Sequence, residues 1–450
     1  MKKEFNLLYE PWICVREKGE KKEVSLLDLF EHDYDGFDND HEVQTVAILR
    51  QLMAIMYTVM ERNGISWKDV KNAGKFSSEK IRDYLISQEE KFYLFHPTTP
   101  FGQEPLAKNG TKFENGKLII DLSQSGNKTR LFQSRKDTSM SYAEAARWIL
   151  AINLFDDASA KPKINKSSVS PGPSWGGKFG HIYPIGKTIF ETVMLNLSKT
   201  PASGQTPTWE RNSHPTSERI MIPFPKNEAE FLTTKNRFLL LNRTGGKIDG
   251  FRELSGYFFD PEDLAGAKIE RNRVMFEKPK AFPVGKIKKW GEIMNANFES
   301  EILKNLDDCV QILTLQMRYG SMSSSIKDIE SDYTYMSIYA LDNMLKIYGQ
   351  IMYIEYLMRD YINFRLALKS PVDKSVASKF RQNLQSELEL DFFDKIREIF
   401  RYGDYEGVGL QIRSELLDRA NNDALAFGRD PLKAGKSLAE LKQKFYTLDA

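Results

Sequence analysis

Apolar residues change rhythm along this chain, and the change divides it in two. Residues 5–15 (FNLLYEPWICV) predict a strand, Lys18-Gly19-Glu20 a turn, and residues 24–30 a second apolar segment. Over residues 42–62, Val46, Leu49, Met53, Met56 and Met60 recur at helical spacing, and Asn63-Gly64 supplies the stop. Methionines in such a stripe fill core gaps rather than hold ligands. From 92 to 132 the prolines at 97, 100 and 105 and several glycines interrupt the pattern. Helices are predicted over 141–155 and 188–197, on either side of an irregular stretch, 158–186, rich in Ser, Pro, Gly and Lys. Residues 200–300 alternate short apolar runs, FLLL at 238–241 and GYFF at 256–259, with turn signals, as a small β-containing section would.

After about residue 300 the rhythm becomes helical. One long amphipathic helix is predicted over 339–369, with Leu341, Leu345, Tyr348, Met352, Tyr356 and Ile362 among its apolar positions. Pro371 suits the first turn of a second, in which Val376, Phe380, Leu384 and Leu388 step by four and which Tyr402-Gly403 ends. A third carries Val408, Ile412, Leu416 and Leu417; a shorter fourth carries Leu438, Leu441 and Phe445. Short Pro- and Gly-containing connections between amphipathic helices fit a four-helix bundle. The expected fold class is therefore α+β: a mixed, loop-rich N-terminal domain, 1–330, followed by a C-terminal four-helix bundle, 331–450.

Composition narrows the classes. With 450 residues, 41% hydrophobic and 28% charged, the chain is of globular type and long enough for two or three domains. No run of about 18 or more apolar residues stands out as a bilayer span. The opening Met1-Lys2-Lys3-Glu4 leads into no apolar signal core, so secretion is not expected. Cys14 and Cys309 lie far apart, as befits a reducing cytoplasm. Lys plus Arg number 64 against 62 Asp plus Glu, a net charge of +2. A stand-alone nucleic-acid binder usually carries a clearer basic excess, so any DNA contact must come from local patches or be shared with other subunits.

Most catalytic signals fail on inspection. Residues 180–188 end in Gly186-Lys187-Thr188 before a helix, as a phosphate-binding loop does. The two glycines are separated by five residues rather than four, Pro184 removes one N–H donor, and no clear strand precedes the segment. The five histidines (32, 41, 96, 181, 214) form no metal-type spacing, so no metal and no cofactor is expected. Asp156-Asp157 and Asp307-Asp308 are better read as helix-end or surface charges, because helix neighbours point apart. Basic loops are the better lead. Lys128, Arg130, Arg135 and Lys136 surround the lone aromatic Phe132, and Lys161, Lys163 and Lys166 precede the Gly- and Pro-rich stretch 170–177. Glycines permit close backbone approach to a phosphate or groove wall, and lysines supply salt-dependent attraction. Read from the residues alone, these stretches are better explained as solvated loops of a lysine-rich protein than as a DNA-binding surface.

A set of ordered motifs resembles the CasA family, the large subunit of the type I-E CRISPR surveillance complex Cascade. The resembling elements are Asn6-Leu-Leu-Tyr-Glu-Pro-Trp-Ile13, Phe92-Tyr-Leu-Phe-His-Pro97 with Pro100-Phe-Gly-Gln103, and Ser125-Gly-Asn-Lys-Thr-Arg-Leu-Phe132. They continue with Ala143-Glu-Ala-Ala-Arg-Trp148, Gly186-Lys-Thr-Ile-Phe-Glu-Thr-Val-Met-Leu-Asn-Leu197, Pro207-Thr-Trp209 and the terminal bundle. Their order spans nearly the whole chain, which is shorter than typical members mainly between 200 and 330.

The resemblance implies a non-catalytic subunit that recognises the protospacer-adjacent motif of duplex DNA, largely from the minor groove. It also implies help in opening the duplex for guide RNA and recruitment of a helicase–nuclease. By the same resemblance Phe132, Gln133 and Ser134 stand at the tip of the motif-sensing loop. Gly172, Gly176 and Gly177 belong to a glycine loop that approaches the minor groove, so Gly177→Asp should weaken duplex capture. Met322 and Ser323 occupy the strand-separating wedge, where some relatives carry glutamine, and Lys268 is the candidate for a groove-entering lysine expected between 235 and 275. Implied partners are the other Cascade subunits, guide RNA, double-stranded target DNA and the helicase–nuclease, with no membrane. A helical protein-interaction adaptor without direct DNA contact is the alternative.

Overall fold

The computed structural model describes residues 3–120, 139–158, 172–211, 221–259, 275–277, 310–336, 343–369, 373–402, 406–427 and 430–447. The chain divides into two compact units, residues 1–275 with 313–333 and residues 276–312 with 334–450. The class is α+β, as expected from the change of rhythm.

In the first unit the opening apolar segment is two strands rather than one. Glu4–Asn6 pairs antiparallel with Tyr93–Phe95, whereas Ile13–Glu17 joins a different sheet between Glu20–Val24 and Gly36–Phe37. Between them the chain turns: the Asn6 side chain accepts from the Leu8 amide at 2.9 Å, and the Trp12 indole donates to the Leu7 carbonyl at 3.0 Å. Both leucines are thereby buried without strand pairing. The second apolar segment also divides, because Ser25 caps the helix Leu26–Glu31 in a reciprocal box with Asp28.

The central helix, Glu42–Arg62, forms where its stripe predicts, but it is buried almost all round. By length and composition it could cross a membrane, yet 94% of its apolar window lies inside the protein. That is the signature of a core helix. Its Arg50, 2% exposed, lies 4.8 Å from the Trp175 ring centroid and donates to the Phe231 carbonyl at 3.1 Å. A second core helix, Tyr142–Phe155, packs beside it behind a Ser141 cap.

Within the irregular stretch, residues Phe179–Ile185 are a strand. Thr188 then caps the short helix Ile189–Leu195, and the Lys187 amide donates to the Glu191 carboxylate at 2.7 Å. A Cβ on Gly186 would lie 2.3 Å from the Glu191 Cβ, so this junction is closed by its own helix and leaves no cradle for a phosphate. A three-stranded antiparallel sheet runs Thr111–Phe113, Lys247–Ser255, Arg237–Thr244. The strand Phe179–Ile185 lies in another sheet beside Val310–Tyr319, whose other neighbour is Ile326–Met336.

The second unit contains the helices Met344–Leu368, Lys374–Asp391, Phe393–Tyr402, Glu406–Phe427 and Pro431–Thr447. The expected second helix is broken at Phe392, which is fully buried while its amide still donates to the Leu388 carbonyl. On the first of these helices Ile347, Ile351, Ile354, Met358 and Tyr361 point inward, whereas Leu345 and Tyr356 are exposed. Leu345 and Tyr356 fall on the predicted stripe but not on the buried face, because the helix carries apolar residues on more than one side. Tyr361 donates to the Asp423 carboxylate at 2.5 Å, and Arg365, one turn on, pairs with the same carboxylate at 2.9 Å.

Candidate nucleic-acid interface

The site is built outward from a cluster of charges. Asp156 and Asp157 follow the helix Tyr142–Phe155, and both are fully buried rather than lying at a surface. They are held because Lys117, on the short helix Asn115–Leu118, donates to Asp156 at 3.1 Å and to Asp157 at 2.7 Å. On the other side Arg237, 1% exposed, donates through Nε to Asp156 at 2.7 Å and lies 3.6 Å from Glu253. Burial opposes the charge on Lys117, but Asp156, Asp157 and Glu253 outweigh it and raise its pKa. Removing charges from water costs several kcal/mol per ion, so such a cluster contributes little net stability while fixing position sharply.

What the cluster positions is a loop and a hairpin. Arg237 also donates to the carbonyls of Asp157 at 3.0 Å and Gly172 at 2.9 Å. The Ser174 amide donates to the Asp156 carbonyl at 2.9 Å, the Trp175 amide to Asn236 at 2.6 Å, and His181 Nε2 to the Gly176 carbonyl at 2.6 Å. Gly172 is half-buried with φ at +64°, a conformation open to glycine at no steric cost. Gly176 and Gly177, expected to offer open backbone, are buried, and their missing Cβ atoms serve packing. A Cβ on Gly176 would lie 2.4 Å from Leu154 Cδ1, and one on Gly177 would lie 1.7 Å from the Tyr319 hydroxyl oxygen. Lys178, next along, is exposed, and its Nζ is 4.0 Å from where a Gly172 Cβ would be. It is a cation at the loop that sequence reasoning did not single out.

Tyr319 ends the strand Val310–Tyr319, and its hydroxyl donates to the Phe155 carbonyl at 2.8 Å. Burial of that hydroxyl end, beside Asp156, raises its pKa well above the usual phenol value. The hairpin then turns through residues 320–325. The Gly320 amide donates to the Ser325 carbonyl at 2.8 Å, the Ser323 amide donates to the Gly320 carbonyl, and the Ala158 amide donates to the Ser323 carbonyl at 2.7 Å. Met322 at the tip is 90% exposed with φ at +50°, and Ser323 follows at +55°. Two non-glycine residues in the left-handed region cost of order 1–2 kcal/mol each.

The structure thus brings Gly172, Gly176, Gly177, Met322 and Ser323 around one buried cluster. Lys128, Arg130, Phe132, Gln133, Ser134 and Lys268 lie outside the described residues. Of the lysines between 235 and 275 that are described, Lys247 is exposed, while Lys235 donates to the Gln103 carbonyl at 2.7 Å and pairs with Glu104 at 3.4 Å. A separate cavity of about 110 Å³ beside the central helix is lined by Arg50, Glu104, Trp209, Arg211 and Lys235 among others. Its Arg211 is engaged by Glu230. Among the described residues no group of three or more His, Cys, Asp or Glu side chains could hold a metal ion.

Several of the motifs that carried the resemblance, among the described residues, prove to be core joints. Arg147 donates to the Trp12 carbonyl at 2.7 Å; Gln103 donates to the Leu94 carbonyl and accepts from the Leu241 amide. Trp209 packs on Phe92, with ring centroids 5.6 Å apart. The family model described as CRISPR-associated protein Cse1 matches residues 6–294, more than half of the chain. CRISPR-associated protein CasA/Cse1 of Thermus thermophilus is 28% identical over 216 residues, 46% of this chain and 42% of that protein. The aligned part therefore spans less than half the length of that relative. Among solved structures, Thermobifida fusca Cse1 matches with a TM-score of 0.73 at 18% identity, over 99% of this chain and 98% of that one. A chain of a CRISPR RNA-guided surveillance complex matches with a TM-score of 0.69 at 13% identity, over 99% of both. Ordered core motifs, the matched family model and the shared fold agree: the chain belongs to the CRISPR-associated protein Cse1 family.

Proposed function

We propose that this chain is the large, non-catalytic subunit of a cytoplasmic CRISPR RNA-guided surveillance complex. In this reading it recognises the protospacer-adjacent motif in duplex DNA, helps to part the strands and recruits a helicase–nuclease. The observation that carries the reading is the exposed, strained Met322 tip held beside the Gly172–Gly177 loop on a rigid ionic base. A bare side chain at a fixed hairpin end suits a wedge between base pairs, since apolar wedges unstack a step at a cost of about a few kcal/mol. The near-neutral charge of the chain supports a role inside an assembly that shares the phosphate attraction.

Guide RNA and the other subunits should co-purify with the chain. The assembled complex should bind a motif-bearing duplex more tightly than a motif-scrambled one at matched salt. Equal affinity for the two duplexes would favour the second reading, a helical adaptor that meets only proteins.

A further inference from the structure

The glycine loop and the hairpin meet at Tyr319. Its hydroxyl sits where a Gly177 Cβ would be, and it bonds to the Phe155 carbonyl, immediately before the buried Asp156-Asp157 pair. Those two aspartates bond through Arg237 to the other end of the glycine loop at Gly172, and the next amide, Ala158, holds the hairpin tip at Ser323. Loop, cluster and tip therefore form a closed mechanical circuit. Tyr319 closes it at the hairpin base, and Ala158 closes it at the tip.

We propose that Tyr319 is a positioning residue for strand separation, setting the height and direction of the Met322 tip relative to the Gly172–Gly177 loop. Motif capture and duplex opening then act through one rigid body instead of two jointed ones. The inference rests on the wedge reading given above for the hairpin. Tyr319 itself need touch no nucleotide, because its hydroxyl is committed to the Phe155 carbonyl. Gly177 is required by the same contact: any side chain there would push the tyrosine, and with it the hairpin base, away from the loop.

The test is a double-mutant cycle in the assembled complex, with Tyr319→Phe and Met322→Ala. Motif-duplex binding is measured by equilibrium titration, and opening by fluorescence of a 2-aminopurine beside the motif. Loss of one buried hydrogen bond is worth up to about tenfold, so Tyr319→Phe should slow opening by roughly that factor. Capture of the closed duplex should hold within about threefold, because the phenylalanine ring still fills the space against Gly177. The two substitutions should be non-additive, because both act through the tip, and a duplex already mismatched beside the motif should open at the wild-type rate in every variant. Additive effects, or equal losses in capture and opening that the mismatched duplex does not restore, would reduce Tyr319 to a general support of the fold and overturn the proposal. If Met322→Ala slows opening and Tyr319→Phe does not, the positioning role alone falls. If Met322→Ala itself opens duplex normally, the wedge reading falls with it.

Discussion

The two units place buried polar groups in opposite ways. In the first, Asp156, Asp157, Arg237 and Glu253 are each at most 1% exposed, and they are gathered from a helix end, a strand start and a neighbouring strand. In the second, the triad of Tyr361, Arg365 and Asp423 joins two helices, with Arg365 and Asp423 still partly open to water. A bundle gains its stability from periodic apolar burial and needs only an occasional polar clasp. A buried ion cluster returns little net stability, so its presence in the first unit argues for a demand on geometry rather than on free energy.

Arg237→Met should give the largest effect. It takes the Arg237 guanidinium away from Asp156 and Glu253, and breaking such a group typically costs about 3–5 kcal/mol. Hydrogen exchange on the whole chain should then show lost protection in residues 237–255, with helices of the second unit unchanged. Equal loss in both would mean that the units do not respond separately.

Gly177→Asp comes next, at about 3 kcal/mol, the upper part of the usual overpacking range. We propose that it weakens duplex capture chiefly by displacing Tyr319, against which Gly177 packs, rather than by charge at a groove. Gly177→Ala should therefore weaken capture nearly as much as the aspartate. An alanine variant that captures duplex normally would restore the charge explanation.

The smallest effect concerns Tyr361. Burial, and then its bond to Asp423, push its pKa up to about 12. A raised folded-state value means that its contribution is complete below the ordinary phenol pKa of about 10 and disappears as pH climbs through about 12, a change of about 2.7 kcal/mol. The stability difference between the wild type and Tyr361→Phe, followed by urea unfolding, should narrow across that window. A difference independent of pH there would show that the phenol does not stay protonated through the bond to Asp423.

Sequence pattern served the second unit better than the first, for a physical reason. Helical spacing is local, so Val408, Ile412 and Leu416 announce their buried face directly. Even so, Leu345 and Tyr356 misled, because a helix apolar on several sides has no single stripe. The first unit depends on partners far apart in the chain, and no spacing rule connects Lys117 with Asp156 or Tyr319 with Phe155. Adjacent aspartates after a helix look like surface charges until their cations are known. The nearest hint was Arg237 itself, a charge opening the apolar run at 238–241. The glycines were legible as places of close approach, but not what approached them.

Met322 has one more consequence. Its backbone sits where glycine or asparagine would be more comfortable, yet the position keeps a long apolar side chain in full solvent. Two criteria for a good residue there disagree: a chain tuned only for durability would replace the methionine with glycine and blunt the hairpin. If the tip is the wedge proposed above, consensus or thermostabilising design applied blindly to this protein would remove the side chain the wedge presents.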